Sequence, residues 1–208
     1  MLSKHDVDLV LDVGAADGGY GTSLRKFGYT GQIVSFEPLS ASFESLTAAI
    51  KDDPAWTAHH LALGAESGSA TINIASNRAS SSFRPMLDSH RAATPAVDFV
   101  AQETVTVSRL DDLDDERLTT ARRPFLKVDT QGFEREVLAG ATNLITRCVG
   151  LQLELSFIPL YDGGMLVDEA VAWAYGQGFH LVNIEQGYSA PSGEILQVDG
   201  VFVRSTAE

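Results

Sequence analysis

The sequence predicts an α/β fold built on a mostly parallel sheet. Short apolar runs alternate with stretches of helical periodicity, which is the order that βαβ units impose on a chain. These runs are apolar at nearly every position, as expected of strands that are covered on both faces. A glycine-rich turn directly after the first run supports the same fold class, because open parallel sheets bind ligands beyond the carboxyl ends of their strands.

The predicted strands are short and are separated by turn residues or helices. In chain order they are residues 7–13, 33–36, 57–63, 70–74, 125–128, 150–155, 180–184 and 200–203. The first of these strands ends in glycines, the fourth alternates between apolar and polar residues, the fifth follows Pro124 and the sixth follows Cys148. The segment 187–193 (GYSAPSG) between the last two strands is typical of a hairpin, so the final strands are expected to be antiparallel.

Four stretches between these strands predict helices, at residues 19–27, 41–51, 134–144 and 167–177. In the last, Val167, Ala170, Val171 and Ala174 recur at helical spacing. Residues 77–100 have neither period. Their serines, two prolines and scattered charges predict a long solvated loop or a mobile cap over a binding site.

Composition limits the class of protein. A chain of 208 residues suits a single domain over residues 1–208, and 15 basic against 28 acidic residues give a net charge of −13. That charge argues against broad binding to nucleic acid or to anionic lipid. We find neither an apolar run long enough to span a membrane nor a secretory signal, and the single cysteine, Cys148, has no disulfide partner within the chain. These observations predict a reduced, cytoplasmic setting.

The turn after the first strand is the most informative segment. It reads DVGAADGGY over residues 12–20, and its glycines allow a sharp turn and a close approach of ligand to backbone. Glu37 closes the second strand, 19 residues after Gly18. In doubly wound folds an acid at about this distance accepts hydrogen bonds from ribose hydroxyls. The turn and the acid together predict an adenosine-type cofactor.

Three interpretations of this turn remain open. The dinucleotide pattern requires glycine at position 16, where this chain has Ala16. Asp12 and Asp17 would repel a pyrophosphate, whereas they suit the ammonium and sulfonium groups of S-adenosylmethionine. That cofactor is therefore favoured over a dinucleotide and over a tight turn that binds nothing.

The sequence resembles the FkbM family of S-adenosylmethionine-dependent methyltransferases. The matching segments are 12–20, 33–38 (IVSFEP), 62–68 (ALGAESG), 107–113 (VSRLDDL), 125–134 (FLKVDTQGFE), 137–141 (VLAGA), 151–156 (LQLELS), 160–161 and 197–202 (QVDGVF). At Asp17 the family usually has asparagine. The resemblance implies a class I methyltransferase fold, a Rossmann-like seven-stranded sheet with an antiparallel last strand. It also implies methyl transfer to a hydroxyl oxygen, often on a sugar or a natural product.

Two carboxylates are the candidate catalytic residues. Asp129 follows one predicted strand and Glu154 lies at the end of the next, so both open onto the same crevice if those strands are neighbours. One would act as the base that removes the hydroxyl proton and the other would orient the acceptor. The structural alternatives are a helix N-cap for Asp129 and a strand-end acid for Glu154. Glu134, Tyr161 and His90 are the candidate substrate-binding residues.

The candidate cofactor-binding residues are Asp12, Gly14, Ala15, Asp17, Gly18, Tyr20, Glu37 and Leu63. Lys127 alternates onto the same strand face as Asp129 and is expected to pair with a carboxylate there. Asp129, Glu134 and Glu154 are hard oxygen ligands of the kind Mg²⁺ prefers. Nothing in their spacing requires a metal, so none is predicted.

The leading function is methyl transfer to a small-molecule or glycan hydroxyl, without nucleic-acid partners or stable membrane insertion. A methyltransferase-fold protein that lost catalysis and serves a biosynthetic complex is the alternative. A nicotinamide-dependent reductase is less well supported, because the full glycine pattern and an evident Tyr-x-x-x-Lys pair are missing. Neither the acceptor nor the oligomeric state follows from the sequence.

Overall fold

The computed structural model describes residues 1–205. In that range the strands are β1 (Leu9–Val13), β2 (Gln32–Phe36), β3 (Trp56–His59), β4 (Ala62–Leu63), β5 (Gly68–Ala75), β6 (Phe99–Ser108), β7 (Pro124–Val128), β8 (Gly150–Ser156), β9 (Phe179–Gln186) and β10 (Gln197–Arg204). The α-helices are α1 (Gly19–Lys26), α2 (Ser40–Ile50), α3 (Asp88–Ala93), α4 (Glu116–Thr120), α5 (Glu134–Ala139), α6 (Thr142–Arg147) and α7 (Val167–Gly176). Two short 3₁₀ helices, Leu2–His5 and Leu110–Asp112, complete the fold.

Seven strands form the main sheet in the order β3-β2-β1-β7-β8-β10-β9. The first five strands of that order pair in parallel, and β10 runs antiparallel to both of its neighbours. The predicted class I arrangement, with an antiparallel last strand, is confirmed. The chain order changes direction at β1, where β2 lies on one side and β7 on the other. Such a switch point opens a crevice at the carboxyl ends of the strands.

The central strands β1 and β7 are buried at every position, which explains why they are so uniformly apolar. Leu9, Leu11 and Val13 of β1 point into a core shared with α5, α6 and α7. Val10 points the other way, into a core with Leu46 of α2 and the N-terminal residues. No helix within residues 1–205 has the length and apolar character needed to cross a membrane.

The predicted strand at 57–63 is two strands in the structure. β3 pairs with β2 as far as Phe36 and His59, and the N–H of Glu37 makes a last hydrogen bond to the carbonyl of His59 (3.2 Å). The chain leaves the main sheet, and Ala62–Leu63 pairs instead with β6. A second sheet of three strands results, in the order β4-β6-β5.

The predicted helix at 134–144 is also divided, into α5 and α6. Gly140 lies against the backbone of Gly64, and a Cβ at position 140 would be 2.0 Å from the Gly64 carbonyl oxygen. Asp111 then starts α6 by accepting hydrogen bonds from the N–H groups of Asn143 and Leu144 (2.8 and 3.0 Å). The close approach to Gly64 ends α5 at Gly140, and the side chain of Asp111 caps the start of α6.

Residues 77–100 are more ordered than a solvated loop. The segment contains α3, and Ser80, Ser81 and Ser82 are buried. The whole connection between β5 and β6 leaves and re-enters the second sheet at one place, because the N–H of Ser76 donates to the carbonyl of Asp98 (3.0 Å). Between those points it passes over the carboxyl ends of the main-sheet strands.

Candidate active site

The turn after β1 requires glycine at position 14. Gly14 has a φ of +76°, and a Cβ there would lie 1.9 Å from the carbonyl oxygen of Asp129 on the neighbouring strand end. The N–H groups of Gly14 and Ala15 both donate to the carbonyl of Phe36 (3.1 Å each). The protein itself therefore satisfies these two N–H groups, and the glycine serves close packing of β1 against the end of β7.

Glu37 lies at the carboxyl end of β2 and lines a cleft at the switch point. Its carboxylate accepts hydrogen bonds from the N–H groups of Ala16 (2.8 Å) and Leu39 (2.9 Å). Burial raises the pKa of Glu37 to about 7, against the opposing effect of these two hydrogen bonds. Each carboxylate oxygen keeps a second lone pair for a ligand hydroxyl.

The cleft has an apolar wall and polar groups at two strand ends. Glu37 follows β2, and Asp129 with Gln131 follows β7, two strands away. Adjacent strands are about 4.8 Å apart, so these groups are separated by about 10 Å. The side chains of the apolar wall come from both sheets and from the segments between their strands. They include Phe36, Leu39, Leu63, Ile72, Phe83 and Phe133.

Of the predicted cofactor residues, Gly14, Glu37 and Leu63 line this cleft. The others lie behind or beside it. Ala15 belongs to the core, and Gly18 is buried against Leu46 and Trp56. Asp17 is exposed, and its carboxylate accepts a hydrogen bond from the N–H of Gly19 (3.2 Å). The Tyr20 hydroxyl donates to Gln152 Oε1 (3.1 Å) on β8.

Asp12 is fully buried and paired with Lys127. Lys127 Nζ is 3.1 Å from Asp12 Oδ1, donates to the carbonyl of Gly14 (3.1 Å) and lies 3.7 Å from Asp129 Oδ2. Burial by itself would lower the pKa of Lys127, but the charges of Asp12 and Asp129 outweigh it and raise the pKa above its ordinary value. Asp12 thus supports the turn from behind and is not among the residues that line the cleft.

Gln131 brings the two predicted catalytic carboxylates together. Its Nε2 donates to Asp129 Oδ1 (2.9 Å) and to both carboxylate oxygens of Glu154 (3.1 Å each). Asp129 and Glu154 come one residue after the paired residues Val128 and Leu153 of β7 and β8. Burial, followed by the charge of Asp129, raises the pKa of Glu154 well above its ordinary value.

The predicted substrate-binding residues surround Gln131 and are buried. The Tyr161 hydroxyl is 3.0 Å from Gln131 Oε1, 3.0 Å from the carbonyl of Ser80 and 3.3 Å from His90 Nε2. His90 Nδ1 is buried without a hydrogen-bond partner, and burial lowers the pKa of this imidazole. Tyr161 therefore contacts Gln131 directly, and His90 of the 77–100 segment contacts Tyr161.

Glu134 supports the turn that carries Gln131. One of its oxygens accepts hydrogen bonds from the N–H and hydroxyl of Thr130 (3.0 and 3.1 Å) and from the N–H of Gly132 (3.1 Å). The side chain is buried, which raises its pKa, and it does not line the cleft. A direct contact between Glu134 and a substrate stays a prediction.

Two residues that line the cleft, Gln131 and Phe83, were not among the predicted site residues. Phe83 joins Asp129 there through packing between distant parts of the chain. For Gln131 the available signal was its place directly before a glycine, in the turn after a strand. Within residues 1–205 no group of three or more His, Cys, Asp or Glu side chains has an arrangement that would hold a metal ion.

Comparison with known proteins points to one family. The model of the methyltransferase FkbM domain matches residues 12–181. Comparison with curated proteins gives no match. Among solved structures, a methyltransferase FkbM from Methylobacillus flagellatus KT superposes with a TM-score of 0.59 and 14% identity. The alignment covers 95% of this chain and 44% of that one, so this chain spans less than half of its length.

Two further structures share the fold at similar distance. Magnesium protoporphyrin IX methyltransferase from Synechocystis PCC 6803, solved with bound S-adenosylmethionine, has a TM-score of 0.53 and 11% identity, over 95% of this chain and 70% of that one. A putative RNA methyltransferase from Pyrococcus horikoshii has a TM-score of 0.51 and 10% identity, over 98% and 80%. At these identities the likeness concerns the fold alone.

Proposed function

Because the chain belongs to the FkbM methyltransferase family, we propose that it is an S-adenosylmethionine-dependent O-methyltransferase acting on a hydroxyl of a sugar or natural product. One observation carries the proposal. The cleft that Glu37 lines also includes Asp129, which Gln131 links to Glu154. The proposed adenosine site and the proposed base therefore lie in one cleft, and Glu154 adjoins it through Gln131.

The donor set of the cleft fits the cofactor. Glu37 can accept hydrogen bonds from ribose hydroxyls, as the acid at the end of the second strand does in doubly wound folds. Leu39, Leu63 and Ile72 give an apolar surface suited to a flat purine. When bound, S-adenosylmethionine supplies an electrophilic methyl group on a positively charged sulfur.

Asp129 is the proposed base. It lines the cleft, and one of its oxygens lies 3.7 Å from Lys127 Nζ, whose charge offsets that of an ionised carboxylate. It would take the hydroxyl proton as the acceptor oxygen forms its bond to carbon. Glu154, whose pKa is raised by burial and by the charge of Asp129, would orient the acceptor by hydrogen bonding. Holding the two reactants in line contributes much of the rate.

The acceptor is proposed to be a neutral or weakly charged small molecule or glycan. The net charge of −13 disfavours RNA, although RNA methyltransferases are among the proteins of similar fold. The buried carboxylates beside the cleft suit an acceptor rich in hydroxyls, each of which can donate a hydrogen bond. Acceptor choice rests on the 77–100 segment and the loop after β8.

The first test is calorimetric titration with S-adenosylhomocysteine. We expect micromolar binding to the wild type and its loss in Glu37→Ala. Glu44→Ala, at an exposed glutamate of α2, is the matched control and is expected to bind normally. Absence of binding to the wild type would contradict the proposed cofactor.

Methyl transfer is tested next with tritiated S-adenosylmethionine and a panel of saccharides and polyketide alcohols, with and without Mg²⁺. We expect incorporation that Asp129→Asn reduces by about 100-fold or more, in the range for loss of a general base. Cofactor binding without transfer to any member of the panel would favour the non-catalytic alternative.

A further inference from the structure

We propose that Gln131 is a positioning residue: its amide holds Asp129 and Glu154 in one fixed arrangement, and a hydrogen bond from Tyr161 anchors the oxygen end of that amide. This inference deepens the proposed function and rests on it for its catalytic meaning. The arrangement itself is a property of the protein without any ligand.

The backbone at Gln131 is held in an unfavourable conformation. Its φ of +54° lies in the left-handed region, which side chains other than those of Asn and Asp seldom adopt, and Gly132 follows at +93°. Three contacts hold the turn. Glu134 accepts hydrogen bonds from the N–H groups on either side of Gln131, and Ser82 Oγ donates to the carbonyl of Gln131 (2.6 Å). Such strain persists where surrounding structure fixes it, and it is concentrated at functional sites.

The side chain of Gln131 has a partner for each of its polar atoms. Nε2 has two hydrogens, and it directs them at Asp129 and Glu154. Oε1 accepts from the Tyr161 hydroxyl (3.0 Å). Reversal of the amide would place its oxygen against the carboxylate oxygens of Asp129 and Glu154, so these two acidic side chains fix its orientation.

This amide is the direct link between the two carboxylates. Asp129 and Glu154 extend from different strands, and two ionised carboxylates that share one hydrogen-bond donor repel each other. Two donated hydrogen bonds stabilise the charged forms and keep both groups beside the cleft. The other titratable or charged groups that face the pair are Lys127 with Asp12, Glu134, Asp199, Tyr161 and His90.

The test is a pH titration of the Asp129 and Glu154 carboxyl carbons by ¹³C NMR, on the full chain without cofactor or acceptor. Asp129→Asn and Glu154→Gln identify the resonances. In Gln131→Met, which keeps the shape and removes the donors, we expect the higher of the two midpoints to move up by about one pH unit. In Tyr161→Phe we expect a smaller shift of the same sign.

The matched control is Gln102→Met, which removes a glutamine side-chain amide elsewhere in the protein. Gln102 is exposed, and its amide donates to Asn73 Oδ1 (2.8 Å) in the second sheet. It is expected to leave both midpoints unchanged. Unchanged midpoints in Gln131→Met would overturn the proposal. The carboxyl titration is carried out without cofactor, so it does not depend on cofactor binding. Failure of S-adenosylhomocysteine binding would therefore contradict the proposed function and leave the test of Gln131 unaffected.

The variant Gln131→Gly distinguishes the effect of the Gln131 side chain from the effect of the strained backbone at that position. Glycine relieves the left-handed backbone, as Asp6→Gly does at a distant residue with a φ of +47°. We expect neither variant to lower the melting temperature. Only Gln131→Gly is expected to raise the carboxyl midpoint, and with an acceptor in hand to lower kcat at least tenfold with an unchanged KM for S-adenosylmethionine. A raised midpoint in Asp6→Gly as well would overturn the assignment to the Gln131 side chain.

Discussion

Lys127 and Asp12 form an ion pair at directly paired positions of β7 and β1, with 3.1 Å between Nζ and Oδ1. The side chains are 6% and 0% exposed, so both charges lie outside the reach of water. The pair joins the two strands that carry the turn at Gly14 and the proposed base Asp129. Asp12 was predicted to contact the cofactor; in the structure its carboxylate pairs with Lys127, and a contact with the cofactor stays a prediction.

Lys127→Met is expected to destabilise the protein by about 3–5 kcal/mol, because it leaves the carboxylate of Asp12 buried without its counter-ion. Urea unfolding measures the effect. Lys51→Met is the control, since that lysine is 72% exposed and is expected to contribute less than about 0.5 kcal/mol. The double variant with Asp12→Asn is expected to recover part of the loss. A single variant as stable as the control would contradict the burial argument.

Gly14→Ala is expected to prevent folding or to lower stability by more than about 3 kcal/mol. The added Cβ would lie 1.9 Å from a backbone oxygen, and the φ of +76° adds about 1–2 kcal/mol of strain. Gly28→Ala separates the two contributions, because its φ is +87° and no atom lies within 4 Å of the new Cβ. Thermal unfolding of both variants checks this, and equal losses would rule out the close approach as the cause.

Glu37 is expected to make stability fall as pH rises. Burial raises its pKa from 4.5 to about 7 in the folded state, so folding favours the protonated form. The contribution of Glu37 to the free energy of unfolding is therefore greatest below about pH 4.5, falls between pH 4.5 and 7, and does not change further above pH 7. The total change in the free energy of unfolding over this range is on the order of 3 kcal/mol.

Urea unfolding of wild type and Glu37→Gln at pH 5 and pH 8 measures this effect. Glutamine does not titrate, so the wild type is expected to lose stability relative to the variant as pH rises. Glu44→Gln, at an exposed position, is expected to follow the wild type. A constant difference between wild type and Glu37→Gln at the two pH values would show that the carboxyl is not shifted.

Cys148 is expected to be inert in the folded protein. Its thiol is fully buried, and burial raises its pKa to about 12, so almost none of the reactive thiolate is present at neutral pH. Reaction with Ellman's reagent at pH 8 is expected to be slow in buffer and complete within minutes in denaturing urea. Fast reaction in buffer would indicate local opening beside β8.

Local patterns predicted the sheet but not the way the 77–100 segment is ordered. The order of strands follows from alternating helices and strands, and the acid at Glu37 from its distance to the glycine turn. β6 was missed, because its residues 102–104 are polar and its partner β5 lies across a long connection. The helix break at Gly140 depends on contact with Gly64, 76 positions earlier, which no local period encodes.

The candidate site shows the same division. Asp129 was predicted because it follows a strand and Glu154 because it lies at a strand end, and the pairing of β7 with β8 brings them together. The contacts that hold them come from separate parts of the chain, since Tyr161 reaches Gln131 and also the carbonyl of Ser80. Only the folded chain assembles these three segments around one amide.

The connection between β5 and β6 has two separate effects on the cleft. It contributes Ser81 and Phe83 to the cleft wall, whereas Glu37 and Asp129 follow strands of the main sheet. It also supports the turn after β7, because Ser82 Oγ donates to the carbonyl of Gln131 (2.6 Å) and the carbonyl of Ser80 accepts from Tyr161 (3.0 Å). Point substitutions at Ser81 and Phe83 are therefore the route by which acceptor preference can change while the supporting contacts stay in place, whereas exchange of the whole connection would remove both at once.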